Sequence, residues 1–312
     1  MWNLNVLDKK AEQDYLNILF DKVKKKRDAI EIDDIKNYLT DSKLEELLIS
    51  QPKELYLRID EYKREIFRSE FDKWLEDSKK RTNEQQSLVD KYKSAINVFD
   101  YKGLISSKKN VSYKIANLIG VNTCVYCNRQ YIFTVDKNDE HITRPEFDHY
   151  LPQSIYPFFA LSLYNLIPSC HICNSNCKGE KEFAADMNPY EKKMDFKFTY
   201  HIKENGYPSA VLLNNDIPKT KKYQNVREFV AKIQEIYNYH TDLELKELYE
   251  FATKYSNTYL KDVLGDMGIN LRVSQEEAYR ILFGAELLED KDNNRPFSKF
   301  KRDILKELGI IK

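Results

Sequence analysis

Apolar positions in the first 110 residues recur at helical spacing. Leu55, Ile59, Tyr62, Ile66, Phe71 and Trp74 follow at three-, four- and five-residue intervals, which lays one apolar stripe along a helix with charged faces around it. Pro52 falls near the start of that helix, where a missing N–H costs little. Between about 111 and 192 the helical period disappears, and cysteine, proline and asparagine concentrate. Gln130–Val135 is rich in aromatic and β-branched residues and reads as a short strand. The polar Asp136–Glu140 reads as a turn, with a return strand running into Phe147-Asp148. A helix is predicted to begin near Cys170–Asn174, giving β-β-α order with Asp148 and His149 at the second strand. Beyond 192, Phe196, Phe198, Tyr200 and Ile202 alternate with polar residues, and Asn205-Gly206 closes a hairpin onto Ala210–Leu213. Val226, Phe229, Val230, Ile233, Ile236 and Tyr237 form a second helical stripe, and Ser274-x-x-Glu277 has the spacing of a capping box.

The expected fold is therefore α+β and mainly helical, without internal repeat or low-complexity linker. It divides into a helical region 1–110, a compact module 111–192, and a β-hairpin with helices over 193–312. Apolar content of 42% and charged content of 32% describe a globular chain. Basic and acidic residues balance at 50 each, so any affinity for a polyanion must come from a local patch or a partner. The runs Lys22–Arg27 and Lys79-Lys80-Arg81 can touch phosphate. Acidic neighbours make solvated helix faces the first reading of both. No secretory signal opens the chain, and the longest apolar run, Tyr156–Pro168, is too short to span a bilayer and is broken by Pro157. A cytoplasmic protein is expected.

All five cysteines lie between 124 and 177, which in a reducing compartment reads as metal binding. Cys124-x-x-Cys127 and Cys170-x-x-Cys173 each place two thiols on a tight turn able to grip one tetrahedral Zn²⁺. Structural zinc contributes on the order of 10–16 kcal/mol in small metal-dependent folds, which rivals the stability of a whole domain. Cys177 has no such partner and reads as a packing residue, and His171 as a neighbour of the site. The two pairs frame Asp148-His149 and the downstream Asn165, and Asn174 follows the last cysteine. A histidine suits activation of water near neutral pH. A carboxylate with an amide oxygen can hold Mg²⁺ or Mn²⁺ and leave positions for water and phosphate. The remaining histidines, His141, His201 and His240, read as surface residues.

In this order the framed residues resemble the HNH (ββα-metal) endonuclease family. The resemblance implies a metal-ligand carboxylate at Asp148, the general base at His149, a loop-bracing Asn at Asn165, a second metal ligand at Asn174, and a phosphate contact at Lys178 before Gly179. Arg129 and Arg144 join Lys178 as candidate nucleic-acid contacts. Many members have two residues between the third-position Asn and the Lys, whereas Ser175, Asn176 and Cys177 intervene here. One added helical residue turns a side chain by about 100°, so Asn176 is the alternative ligand; Asn174 keeps its register with the zinc pair. Asn188-Pro189-Tyr190-Glu191 and Arg295–Asp303 are similar to segments of HNH nucleases in Septu-type and retron-associated bacterial antiphage systems, where an ABC-type ATPase is the partner. The expected substrate is DNA, with the helical flanks recruiting and not taking part in the chemistry. An RNA-cleaving toxin and a catalytically inactive zinc-stabilised binding module remain the alternatives.

Overall fold

The computed structural model describes residues 2–75, 82–137, 140–191, 194, 196–204, 206–214, 217–255, 259, 262 and 274–311. Lys79-Lys80-Arg81 and Asn205 lie outside them. The N-terminal region is helical: α1 (Lys9–Asp28), α2 (Asp33–Tyr38), α3 (Asp41–Ile49), α4 (Pro52–Leu57), α5 (Ile59–Tyr62), α6 (Phe71–Leu75), α7 (Asn83–Asn97) and α8 (Lys109–Ile119). Asp8 caps α1 by accepting from the Ala11 N–H at 2.8 Å. The stripe expected on one helix is spread over α4, α5 and α6, with a left-handed residue, Arg68 (φ 54°), before α6. The five-residue interval between Ile66 and Phe71 explains the break, because it does not fit a 3.6-residue period. Resetting the register lets Leu55, Tyr62, Ile66 and Phe71 all bury. The basic run at the end of α1 is largely neutralised: Lys24 and Arg27 pair with Asp41, and Lys26 with Asp100.

Among the described residues three antiparallel strand pairs follow: β1 (Val135–Lys137) with β2 (Glu140–Thr143), β3 (Glu146–His149) with β4 (Leu166–Ser169), and β5 (Lys197–Ile202) with β6 (Pro208–Asn214). Here the structure corrects the expected strand pairing. Gln130–Thr134 supplies only an isolated bridge between Tyr131 and Thr123, the strand starts at Val135 and returns as β2 at Glu140–Thr143, and β3 pairs instead with β4, Asp148 opposite Ile167 and His149 opposite Leu166. The reason is burial. All four residues of β4 are buried, whereas β1 and β2 are largely exposed and form an outlying arm. Pro168 hides β4 in the sequence, since proline argues against a strand interior. The helical turn Ile172–Lys178 follows β4 at once, so the chain order here is strand, strand, helical turn.

α9 (Gln224–Asn238), α10 (Lys246–Lys254), α11 (Gln275–Phe283) and α12 (Ser298–Glu307) complete the described helices. The capping box at Ser274 and Glu277 forms as spaced. One hydrophobic core crosses all three regions. Trp2 lies at its centre, its ring centroid 4.8 Å from Tyr126 and 5.5 Å from Phe229 of α9, with its indole N–H donating to the Met187 carbonyl at 2.6 Å. Among the described residues no helix is long and apolar enough to cross a membrane.

Candidate functional site

Cys124, Cys127, Cys170 and Cys173 are all buried, and their sulfurs lie within 4.8 Å of one another. Cys127 and Cys170 are 4.0 Å apart, close to the ~3.8 Å edge of a tetrahedron built on Zn–S bonds of about 2.3 Å. The first pair sits on a knuckle closed by Asn128 N–H to the Cys124 carbonyl at 2.7 Å and Cys124 N–H to Gln130 at 2.9 Å. The second pair spans the junction of β4 and the following helical turn. Burial pushes the Cys124 thiol well up, and hydrogen bonds with the other cysteines raise Cys173 while they lower Cys170. Without a cation, burial permits little negative charge here. A divalent ion would reverse that and favour thiolates throughout. The donor set fits a structural metal such as zinc. Cys177 is buried nearby, outside the cluster.

Beside the cluster, Asp148, His149 and Asn174 line one cleft of about 230 Å³, together with Gln153, Ser154 and Glu180. Asp148 is buried and anchored from below: Tyr126 Oη donates to Oδ2 at 2.5 Å, and Lys178 Nζ to Oδ1 at 3.0 Å. His149 Nε2 is 3.0 Å from the Ala160 carbonyl. A carbonyl only accepts, so the neutral ring carries its proton on Nε2 and keeps the Nδ1 lone pair. Burial lowers the His149 pKa to about 4, against the opposing pull of the Ala160 carbonyl and Asp148. The ring is thus neutral near pH 7, with Nδ1 unprotonated. Asn165 accepts from the Leu151 N–H at 2.7 Å and donates to the carbonyls of Leu151 and Phe159, fixing the loop that presents Ala160. The N-terminal helices reach the same loop: Tyr15 of α1 donates to the Leu161 carbonyl, and Ser162 donates to Leu47 of α3.

Comparison with known proteins finds no matching family model, no matching curated protein and no matching solved structure.

The residues singled out from the sequence separate into groups. Asp148, His149 and Asn174 share the cleft, and Asn165 braces it. Asn176 is exposed and does not line it; its carbonyl accepts from Lys232. Lys178 lies in the interior, its side chain fully buried on Asp148 and on the His149 carbonyl, where it cannot meet a phosphate. Arg144 stays near the cleft. Its charge acts on Tyr101, whose hydroxyl burial pushes up to about 12 and whose ring meets His149 edge-on at 4.5 Å. Arg129 is half-buried, does not line the cleft, and acts on Cys177 and Tyr237 through its charge. His201 is exposed, as expected. His141 lies on β2 with its side chain 11% exposed, between Asp136 and Asn110 and against Tyr113, and is no surface residue. His240 packs against Phe297.

Four contributors escape the sequence reading. Tyr126 sits between the first two cysteines, and Ala160 contributes only a carbonyl. Glu146, two residues before Asp148 and hence on the same strand face, accepts from Asn174 Nδ2 at 2.9 Å and lies 2.9 Å from His171 Nδ1. Asn128, left-handed at φ 50°, receives the Phe297 N–H at 2.6 Å and donates to Asp292 and Arg295. It thereby docks the Arg295–Asp303 segment on the knuckle. Only Glu146 carried a usable signal, its strand period with Asp148.

Proposed function

We propose that the chain is a metal-dependent endonuclease of the HNH type that hydrolyses DNA phosphodiester bonds, working as the effector of a bacterial antiphage system beside an ABC-type ATPase. The observation that carries the reading is one cleft combining a neutral histidine of fixed tautomer with a carboxylate and an amide, on a strand pair followed directly by a helical turn. His149 Nδ1 takes the proton of the attacking water, and the Ala160 carbonyl steadies the ring as positive charge develops. Asp148 keeps cleft-side lone pairs, because Tyr126 and Lys178 each use one of about four carboxylate sites. Asn174 spends its Nδ2 on Glu146 and leaves Oδ1 to the cleft. These hard oxygen donors fit Mg²⁺ or Mn²⁺. When bound, such an ion supplies positive charge to the phosphate and the leaving oxygen. The test is cleavage of supercoiled plasmid and of tRNA by the purified protein, with and without Mg²⁺ or Mn²⁺. Metal-dependent plasmid cleavage is expected. Cleavage of tRNA alone would favour the RNA-cleaving toxin, and cleavage of neither would leave a zinc-stabilised binding module.

A further inference from the structure

The burial of Lys178 on Asp148 leaves the cleft without its expected phosphate contact. A chain of zero net charge must then meet a polyanion through a local patch. Most of the basic run on α1 is unsuited to this, since Lys24, Lys26 and Arg27 are spent on Asp41 and Asp100.

We infer that the groove between the first turn of α8 and the β1–β2 arm is a docking site for the phosphodiester backbone of the substrate; this deepens the nuclease reading and rests on it for the identity of that substrate. The groove encloses about 660 Å³, and Lys22, Ser107, Lys108, Lys109, Asn110 and His141 supply its polar lining. Among the described residues no carboxylate lines it, although acids and bases are equally frequent in the chain. Lys108 and Lys109 are exposed and form no ion pair among the described residues. An unpaired ammonium facing water keeps its full attraction for phosphate, and each such contact adds counterion release to the affinity.

The walls are held in place. His141 joins the arm to α8, its Nδ1 2.9 Å from Asp136 Oδ1, its Nε2 hydrogen-bonded to Asn110 Oδ1, and its ring 4.6 Å from Tyr113. A lysine pair on a fastened edge loses less freedom on binding than one on a free loop. One wall of the groove adjoins in sequence a residue that touches His149. Its wall includes Gly103 and Leu104, directly downstream of Tyr101, whose ring stands edge-on to His149 at 4.5 Å. Arg144 sits near the same tyrosine.

The experiment measures binding of labelled duplex DNA and of tRNA to the His149→Ala protein, so that cleavage does not consume the probe, over about 50–200 mM salt. Added charge reversals Lys108→Glu and Lys109→Glu should weaken binding roughly tenfold or more and flatten the log K against log salt slope for duplex by about 1.8, two phosphate contacts' worth. Lys306→Glu, exposed on α12, should change neither quantity. The probe that loses more affinity in the double variant is the one the groove holds. Equal affinity and slope in parent and double variant would overturn the inference, as would no binding of either nucleic acid by the parent. Unchanged binding with wild-type cleavage intact sinks the groove and spares the nuclease; groove-dependent binding without wild-type cleavage does the reverse.

Discussion

The cysteine cluster and the Asp148 cleft are neighbours with opposite designs. The cluster is closed: four buried sulfurs face one centre, and every donor points inward. The cleft is half open. Its carboxylate is held from beneath by Tyr126 and Lys178, while the other side faces a cavity shared with His149 and Asn174. A closed, soft-ligand site suits a metal that holds structure, and an open, oxygen-lined site suits exchange and reaction. Tyr126 joins the two, since it belongs to the Cys124–Cys127 knuckle and hydrogen-bonds the cleft carboxylate. Rigidity in the first site becomes positioning in the second.

The comparison breaks most visibly if the cluster is emptied. Stripping the metal with a strong chelator, or Cys127→Ser, should cost on the order of 10 kcal/mol and unfold the module, which loss of circular dichroism and of zinc on elemental analysis would report together. A folded, metal-free protein would remove the structural half of the contrast. Next comes Lys178→Met. Lys178 and Asp148 have side chains 0% and 3% exposed, so removing the ammonium strands a buried carboxylate and should cost about 3–5 kcal/mol in urea unfolding. A surface-type loss below about 1 kcal/mol would show the pair to be solvated.

Acid sharpens the contrast through His149. Its native pKa of about 4 lies below the ordinary 6.5, so the unfolded chain takes up the proton first as pH falls. The stability this histidine contributes is complete above about pH 6.5 and is lost towards pH 4, a difference of up to ~3 kcal/mol. Unfolding midpoints between pH 7 and 4.5 should therefore fall less steeply in His149→Gln than in wild type, and parallel curves would refute the burial argument. The smallest effect belongs to the link itself. Tyr126→Phe should cost roughly 1–2 kcal/mol of stability and weaken Mg²⁺ binding with zinc content unchanged, as titration and elemental analysis would register.

Much of this was legible beforehand for identifiable reasons. Paired cysteines announce a metal cluster because two ligands on one turn need a fixed spacing. Helical stripes such as Val226–Tyr237 announce burial through their period. The strand pairing was not legible, because β4 contains Pro168 and lies far along the chain from β3, and pairing over such a separation leaves no local trace. The interior place of Lys178 was hidden too, since a lysine before a glycine reads as a surface cation until its partner Asp148 is known. Ala160 and Asn128 work through backbone and capping geometry, which their identities do not announce. The N-terminal helices read as flanks, yet Tyr15 and Leu47 hold the loop that orients His149.

The most direct test of the division between the two sites is His149→Ala, assayed for plasmid cleavage, zinc content and melting together. The imidazole binds no sulfur and holds one carbonyl, so the variant should fold, retain about one zinc per chain, and lose cleavage by roughly 10²–10⁴. Wild-type cleavage by that protein, or loss of its zinc, would contradict the account.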